Sequence, residues 1–351
     1  MKRLIFCAAM ACALVASLGA QVLDKPAATV RLTKTESITV TQLQKQVQAF
    51  EASAHRVLTT DERKQVLDSM VAQILLLQAA AKENVVVSDP QLKAALATYE
   101  QQLGQGYGLG RPLTDAELQQ YVKSTGQTYD VFLKSLRDQQ TAYSYIQKKR
   151  PNIADSVKQP TDQDIQDYYD QNKRNFFMDD MITFRHIFID TTQLTSKDDR
   201  DKAAKHADDI LKELKAGAAF TDLVTKYSDD SRSKYNGGLY PSLFRNDDQR
   251  RQAFGTPFFD ALFKMKKGET SAVLQSNAGF HIVQIVDRLD ARLLGLDDKI
   301  PPQNTATVRD TVKSAILINR QNAAWTQAQA ELVADLKKTA EVNIFNDNIV
   351  W

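Results

Sequence analysis

The chain has 351 residues, 43% of them apolar and 25% charged, with a formal net charge of +2. That length and composition suit two or three buried cores and not a disordered chain. The small net charge supplies no global basic field to suggest nucleic acid or anionic lipid as a partner.

Lys2 and Arg3 precede the apolar run LIFCAAMACALVASLGA. This is the pattern of a secretory signal peptide over residues 1–20, cleaved near Ala20. The run is short and rich in alanine, and no later run reaches spanning length, so no stable membrane insertion is expected. Both cysteines, Cys7 and Cys12, lie inside it, which leaves a mature chain without disulfides. Cys12 follows AAMA, a poor lipidation context. Cleavage reduces the 45 basic residues by two, to match the 43 acidic ones. The expected location is the periplasm, or more broadly the extracytoplasmic space.

Residues 21–177 read as a helical domain. ATVRLTKTESITVT is a short extended piece, suited to a hairpin. Capping-box spacings follow at Thr41–Gln44, Thr59–Glu62, Ser88–Gln91 and Thr114–Glu117, each before an amphipathic stretch. GQGYGLGRP breaks the helices; it follows a helix and lacks the Lys-Ser/Thr of a phosphate loop. KKRPNIADSVKQPTDQDI is a linker punctuated by Pro151 and Pro160, and a short helix follows it. From 178 to 290 the pattern is α+β: the strand MITFRHIFID, three helices, and the strand GFHIVQIVDR. Residues 291–351 return to helix. Val308, Val312, Ile316, Trp325, Leu332 and Leu336 recur at near-helical spacing, and a helix with such a stripe needs a partner. The N-terminal helices are the expected one.

The chain has four histidines. His55 and His206 lie on polar helix stretches. His186 and His281 lie inside apolar strands, one near each end of the α+β stretch. Such strands often pair in the middle of a sheet, which would make the two histidines neighbours. Each buried ring nitrogen then needs a partner, and a mutual hydrogen bond with a nearby hydroxyl or carboxylate supplies it. Two histidines and Asp230 are too few for a zinc site, so neither metal nor cofactor is expected. No G-x-S-x-G elbow is present for a serine hydrolase.

RHIFID, AAFTDLVTKYSDDSRSKYNGGL and GTPFFDALFKMKKGETSAVLQSNAGFHIVQI closely resemble the parvulin family of peptidyl-prolyl isomerases. The shared features are two strand histidines, Phe-x-x-Leu-(x)4-Ser-Asp, Gly-Gly-Leu, Pro-Phe-x-x-Ala, Lys-Gly-Glu and Gly-Phe-His-Ile. The flanking parts are similar to exported foldases of the SurA/PrsA type. The resemblance implies an α+β parvulin domain inserted in a helical chaperone domain built from N-terminal helices and a C-terminal helix. It implies a hydrogen-bonded His186–His281 pair, with Asp230 tuning the pair and the field at the substrate carbonyl. It also implies a proline pocket of Leu239, Phe254 and Phe258, with Phe280 as a further neighbour. The departures are GGLYPSLF where Gly-Gly-Asp/Glu-Leu-Gly is common, Phe254 in place of methionine, and a loop LQSNAGFH one residue longer.

Three functions follow as alternatives. One is a periplasmic isomerase and chaperone acting on X-Pro segments of unfolded or partly folded exported or outer-membrane proteins. Another is a holdase whose parvulin domain is weak or inactive and binds clients only. The last, a scaffold subunit of a surface complex, has no supporting feature.

Overall fold

The computed structural model describes residues 24–351. The signal-peptide reading and both cysteines lie outside the described residues. The chain divides into two compact units. One comprises the residues up to Lys158 together with Ile318–Trp351; the other is Gln159–Leu317. No helix among the described residues is long and apolar enough to cross a membrane.

The first unit opens with a hairpin, β1 (Pro26–Arg31) and β2 (Thr35–Thr39). Five helices follow: α1 (Val40–Ala54), α2 (Thr60–Lys82), α3 (Asp89–Gly106), α4 (Asp115–Ser124) and α5 (Tyr129–Lys149). The capping boxes at Thr59–Glu62 and Thr114–Glu117 form as the spacing predicts, and the Ser88 backbone N–H donates to Gln91 Oε1 at 2.9 Å. The first helix differs. Its box is Thr39–Gln42, two residues earlier than the sequence reading, because the helix begins directly where β2 ends at extended Thr39. Helix α2 is the centre of the main core. Val66, Leu67, Met70, Val71, Ile74, Leu75, Leu76, Ala79 and Ala80 are all buried, so apolar contacts surround most of its circumference.

One polar residue interrupts that helix. Gln78 is 2% exposed. Its Oε1 accepts from the backbone N–H groups of Leu32 and Thr33 at 2.9 and 3.0 Å. Its Nε2 donates to the Lys34 carbonyl and to Glu36 Oε1, both at 2.9 Å. A side-chain amide thus satisfies the turn that the hairpin cannot satisfy itself.

In the second unit come α6 (Asp162–Gln171), β3 (Phe177–Met178), β4 (Met181–Asp190), α7 (Lys197–Lys215) and α8 (Phe220–Tyr227). Then follow β5 (Leu243–Phe244), α9 (Asp248–Phe254), α10 (Thr256–Lys264), β6 (Leu274–Gln275), β7 (Gly279–Leu289) and β8 (Arg292–Leu293). A four-stranded antiparallel sheet has the order β5-β4-β7-β6, with the two long strands central. Alternation along them sends side chains to two cores. Ile187, Ile189 and Ile282 meet α7 and α8 on one face. Phe184, Val283 and Ile285 meet Phe258, Phe259, Leu262 and Phe263 of α10 on the other. A further cluster joins Ile165 and Tyr169 of α6 to Met178, Leu294, Val308, Val312 and Ile316. That cluster explains why the compact unit extends beyond residues 178–290 at both ends.

The last elements are α11 (Val308–Lys337) and β9 (Glu341–Ile344). Leu332 and Val333 of α11 lie in the core built on α2, and Trp325 stacks on Tyr143 at 4.3 Å. Strand β9 pairs with β1 and makes the order β2-β1-β9. The third strand was not apparent in the sequence: EVNI is short, and its partner lies at the other end of the chain.

Replacing Gln78 by Ala leaves the turn amides of Leu32 and Thr33 without their acceptor. The expected loss is about 1–3 kcal/mol, read as a lower urea midpoint of the first unit with no change in denaturant slope.

Candidate active site

Phe188 and His281 are Cα partners in the central ladder, and His186 is opposite Val283. The two histidines therefore lie diagonally on the same face of the sheet, within reach of each other. Their Nδ1 atoms are 3.2 Å apart, and each residue is 2% exposed. His186 Nε2 is 3.0 Å from Asp230 Oδ2. Ser233 Oγ is 2.5 Å from the same oxygen. At the far end, Ser276 Oγ is 2.8 Å from His281 Nε2.

Two loops bring these partners in. The segment after α8 returns along the edge of β4. Asp229 N–H donates to the Phe188 carbonyl, His186 N–H to the Gly238 carbonyl, and Tyr240 N–H to the Phe184 carbonyl, at 2.8, 2.9 and 2.9 Å. Between these anchors a tight turn holds Asp230: its carbonyl accepts from Ser233 and Lys234, and its Oδ1 accepts from the Arg232 N–H. Gly238 has φ +77°, and a Cβ there would lie 2.5 Å from the His186 carbonyl oxygen. Glycine is therefore required for the chain to come this close to β4. The second loop carries Ser276 and Asn277. Asn277 Nδ2 donates to the carbonyls of Gln252 and Ala253, and its N–H donates to the Phe254 carbonyl. One loop thus fixes both Ser276 and Phe254.

The proton positions follow from the partners. Burial raises the Asp230 pKa, but hydrogen bonds from Ser233, His186 and the Arg232 backbone outweigh it, and the carboxyl lies below its ordinary range. An ionised Asp230 can only accept, so His186 donates from Nε2. His186 Nδ1 must then accept from His281 Nδ1–H, and His281 Nε2 accepts from the Ser276 hydroxyl. One consistent assignment satisfies four ring nitrogens with both imidazoles neutral. Burial lowers both histidine pKa values, and the neighbouring His186 helps bring His281 to about 3.

Aromatic rings enclose the pair. His281 sits between Phe188 at 4.6 Å and Phe258 at 4.5 Å, with Phe254 edge-on at 6.2 Å. Tyr240 stacks on Phe184 at 5.0 Å and meets His186 and Phe254 edge-on at 5.6 and 5.5 Å. His186, Asp230, His281, Phe254 and Phe258 thus come together. Two other residues named from the sequence do not. Leu239 is 40% exposed, and its neighbour Tyr240 takes the inward place. Phe280 packs into the opposite core with Ile282, as strand alternation from His281 requires. The sequence reading missed Ser233, Ser276, Phe184, Phe188 and Tyr240. Phe184 and Phe188 flank His186 at i−2 and i+2, a signal that was available. Ser276 carries no periodic mark.

Residues 170–289 match the PPIC-type PPIase domain, and residues 8–145 match the SurA-like N-terminal domain. The foldase protein PrsA of Clostridium kluyveri is 25% identical over 296 residues, which cover 82% of this chain and 75% of that protein. The chaperone SurA of Nitrosococcus oceani is 25% identical over 224 residues, covering 64% of this chain and 48% of that protein. A solved SurA-like chaperone structure from Campylobacter jejuni is 20% identical, covers 90% of this chain and all of its own, and has a TM-score of 0.36. The chain carries a PPIC-type, or parvulin, peptidyl-prolyl cis-trans isomerase domain over residues 170–289 and a SurA-like N-terminal domain over residues 8–145.

Proposed function

We propose that this protein is an extracytoplasmic foldase that accelerates X-Pro isomerisation in unfolded or partly folded exported polypeptides, outer-membrane proteins among them. His186, Asp230 and His281 form the floor of the site. Phe254, Phe258 and Tyr240 form the wall that takes the proline ring. The parvulin domain corresponds to residues 178–290 within the second unit, the first unit (residues up to Lys158 together with Ile318–Trp351) supplies the client-holding domain, and residues 1–20 direct export. The observation that carries this reading is the neutral buried histidine pair, bonded to an ionised carboxylate and enclosed by aromatic rings.

The chemistry asks for little else. The barrier to X-Pro rotation, about 18–20 kcal/mol, comes from amide resonance. That resonance places negative charge on the carbonyl oxygen and removes the lone pair from nitrogen. Twisting the bond reverses both. A site that holds the proline ring in apolar walls and keeps negative potential near the carbonyl disfavours the planar amide relative to the twisted one. Asp230 supplies that charge, and Ser233 and His186 hold it ionised. An intact network of this kind supports activity over a holdase with a retired domain.

Replacing Asp230 by Ala removes the charge and leaves the His186 N–H unpaired. The expected result in a refolding reaction limited by proline isomerisation is a fall in kcat/KM of about 10- to 100-fold. Circular dichroism of the variant should match the wild type. Unchanged acceleration by a folded variant sinks the assignment.

Acid pH gives a second check. Both imidazoles have pKa values depressed by burial, so the unfolded chain takes up protons first as pH falls. The stability they contribute is therefore complete above the unfolded value of 6.5, and for His281 it is lost as pH falls toward about 3. Asp230, also depressed, adds a loss of the same sign below its ordinary 3.8. In NMR titrations the His186 ring protons should titrate below the ordinary 6.5, and those of His281 should show no midpoint between about pH 8 and about pH 5. Over that range the urea midpoint of the second unit should fall with acid. A midpoint near 6.5 for either ring contradicts the buried neutral pair.

A further inference from the structure

The floor of the site has no hydrogen-bond donor left for a ligand. The Ser276 hydroxyl is directed to His281, His281 Nδ1–H to His186, His186 Nε2–H to Asp230, and the Ser233 hydroxyl to Asp230. A peptide lying against the aromatic walls still loses water from its main-chain carbonyls, and an unpaired buried carbonyl is costly. The donor must come from the wall.

Tyr240 has one to offer. Among the described residues its phenol hydroxyl forms no hydrogen bond, and the oxygen is not sealed from solvent. The ring that carries it is held on three sides by Phe184, His186 and Phe254, and its N–H is bonded to the Phe184 carbonyl. The hydroxyl is therefore fixed in place at little entropic cost on binding. Burial raises its pKa further above the ordinary phenol value, so it remains a donor at neutral pH.

The reaction restricts which carbonyl this hydroxyl can serve. A donor on the carbonyl of the rotating bond would stabilise the planar, charge-separated amide and oppose catalysis. A neighbouring carbonyl carries no such penalty. Resting on the isomerase reading above, we propose that the Tyr240 hydroxyl donates a hydrogen bond to a main-chain carbonyl flanking the rotating X-Pro bond. It acts as a binding contact that sets how the peptide lies across the histidine floor.

The test is Tyr240→Phe, which removes one oxygen and leaves the stacked ring. With an X-Pro tetrapeptide, KM should rise about three- to tenfold at unchanged kcat. The unfolding midpoint should not fall. Tyr235→Phe, a phenol 85% exposed on the same loop, serves as the control and should change neither constant. Unchanged KM in Tyr240→Phe overturns the proposal. A fall in kcat at unchanged KM also overturns it, because the hydroxyl would then act on the rotating amide itself. If the wild type shows no isomerase activity, the functional reading fails separately. Titration of the same peptide then decides the matter: equal Kd for wild type and Tyr240→Phe overturns the contact, and a three- to tenfold weaker Kd upholds it.

Discussion

Two imidazoles buried side by side present four ring nitrogens, each of which must be satisfied without water. The mutual Nδ1 contact uses two of them. Asp230 and Ser276 satisfy the others from two loops that are far apart in sequence. Leaving any one nitrogen unpaired would cost about 1–3 kcal/mol. The loops are correspondingly constrained. Gly238 has the only kind of backbone that fits against the His186 carbonyl, and Asn277 ties the Ser276 loop to the end of α9. The wall and the floor are thereby joined, because Asn277 also bonds the Phe254 carbonyl.

Much of this was legible in the sequence because strands alternate. His186 and His281 in apolar strands, at opposite ends of an α+β stretch, implied a shared face and a mutual bond. The structure places them 3.2 Å apart in the two central strands. Capping boxes at Thr59 and Thr114 were legible because a cap is a local bond between residues three apart. At the first helix two such spacings overlap, and only the end of β2 selects Thr39 over Thr41. Strand β9 needed information from the opposite end of the chain, which no local pattern carries.

The rim was harder to read than the floor, for a physical reason. Whether Leu239 or Tyr240 faces inward depends on how the returning loop registers against β4. Backbone hydrogen bonds from His186 to Gly238 and from Tyr240 to Phe184 set that register. A shift of one residue exchanges an exposed aliphatic side chain for a stacked phenol. Phe280 illustrates the opposite case. Strand alternation alone places it on the far face, so the family likeness that made it a neighbour of the site yields to the periodicity.

The depressed histidine pKa values bear on the kind of chemistry this site can perform. A general base is most effective when its pKa lies near the working pH. His281, held to about 3 by burial and by its neighbour, is poorly suited to taking a proton from a nucleophile. Isomerisation about X-Pro moves no proton and breaks no σ bond. In the proposed role these residues supply a dry, rigid floor whose charge distribution does not change during the reaction. A one-directional chain of hydrogen bonds ending on an ionised carboxylate provides this. The donor directions are fixed, no protonation state changes near neutral pH, and the negative charge stays at one end. The same features that make the pair unfit for hydrolysis make it suitable for favouring a twisted amide over a planar one.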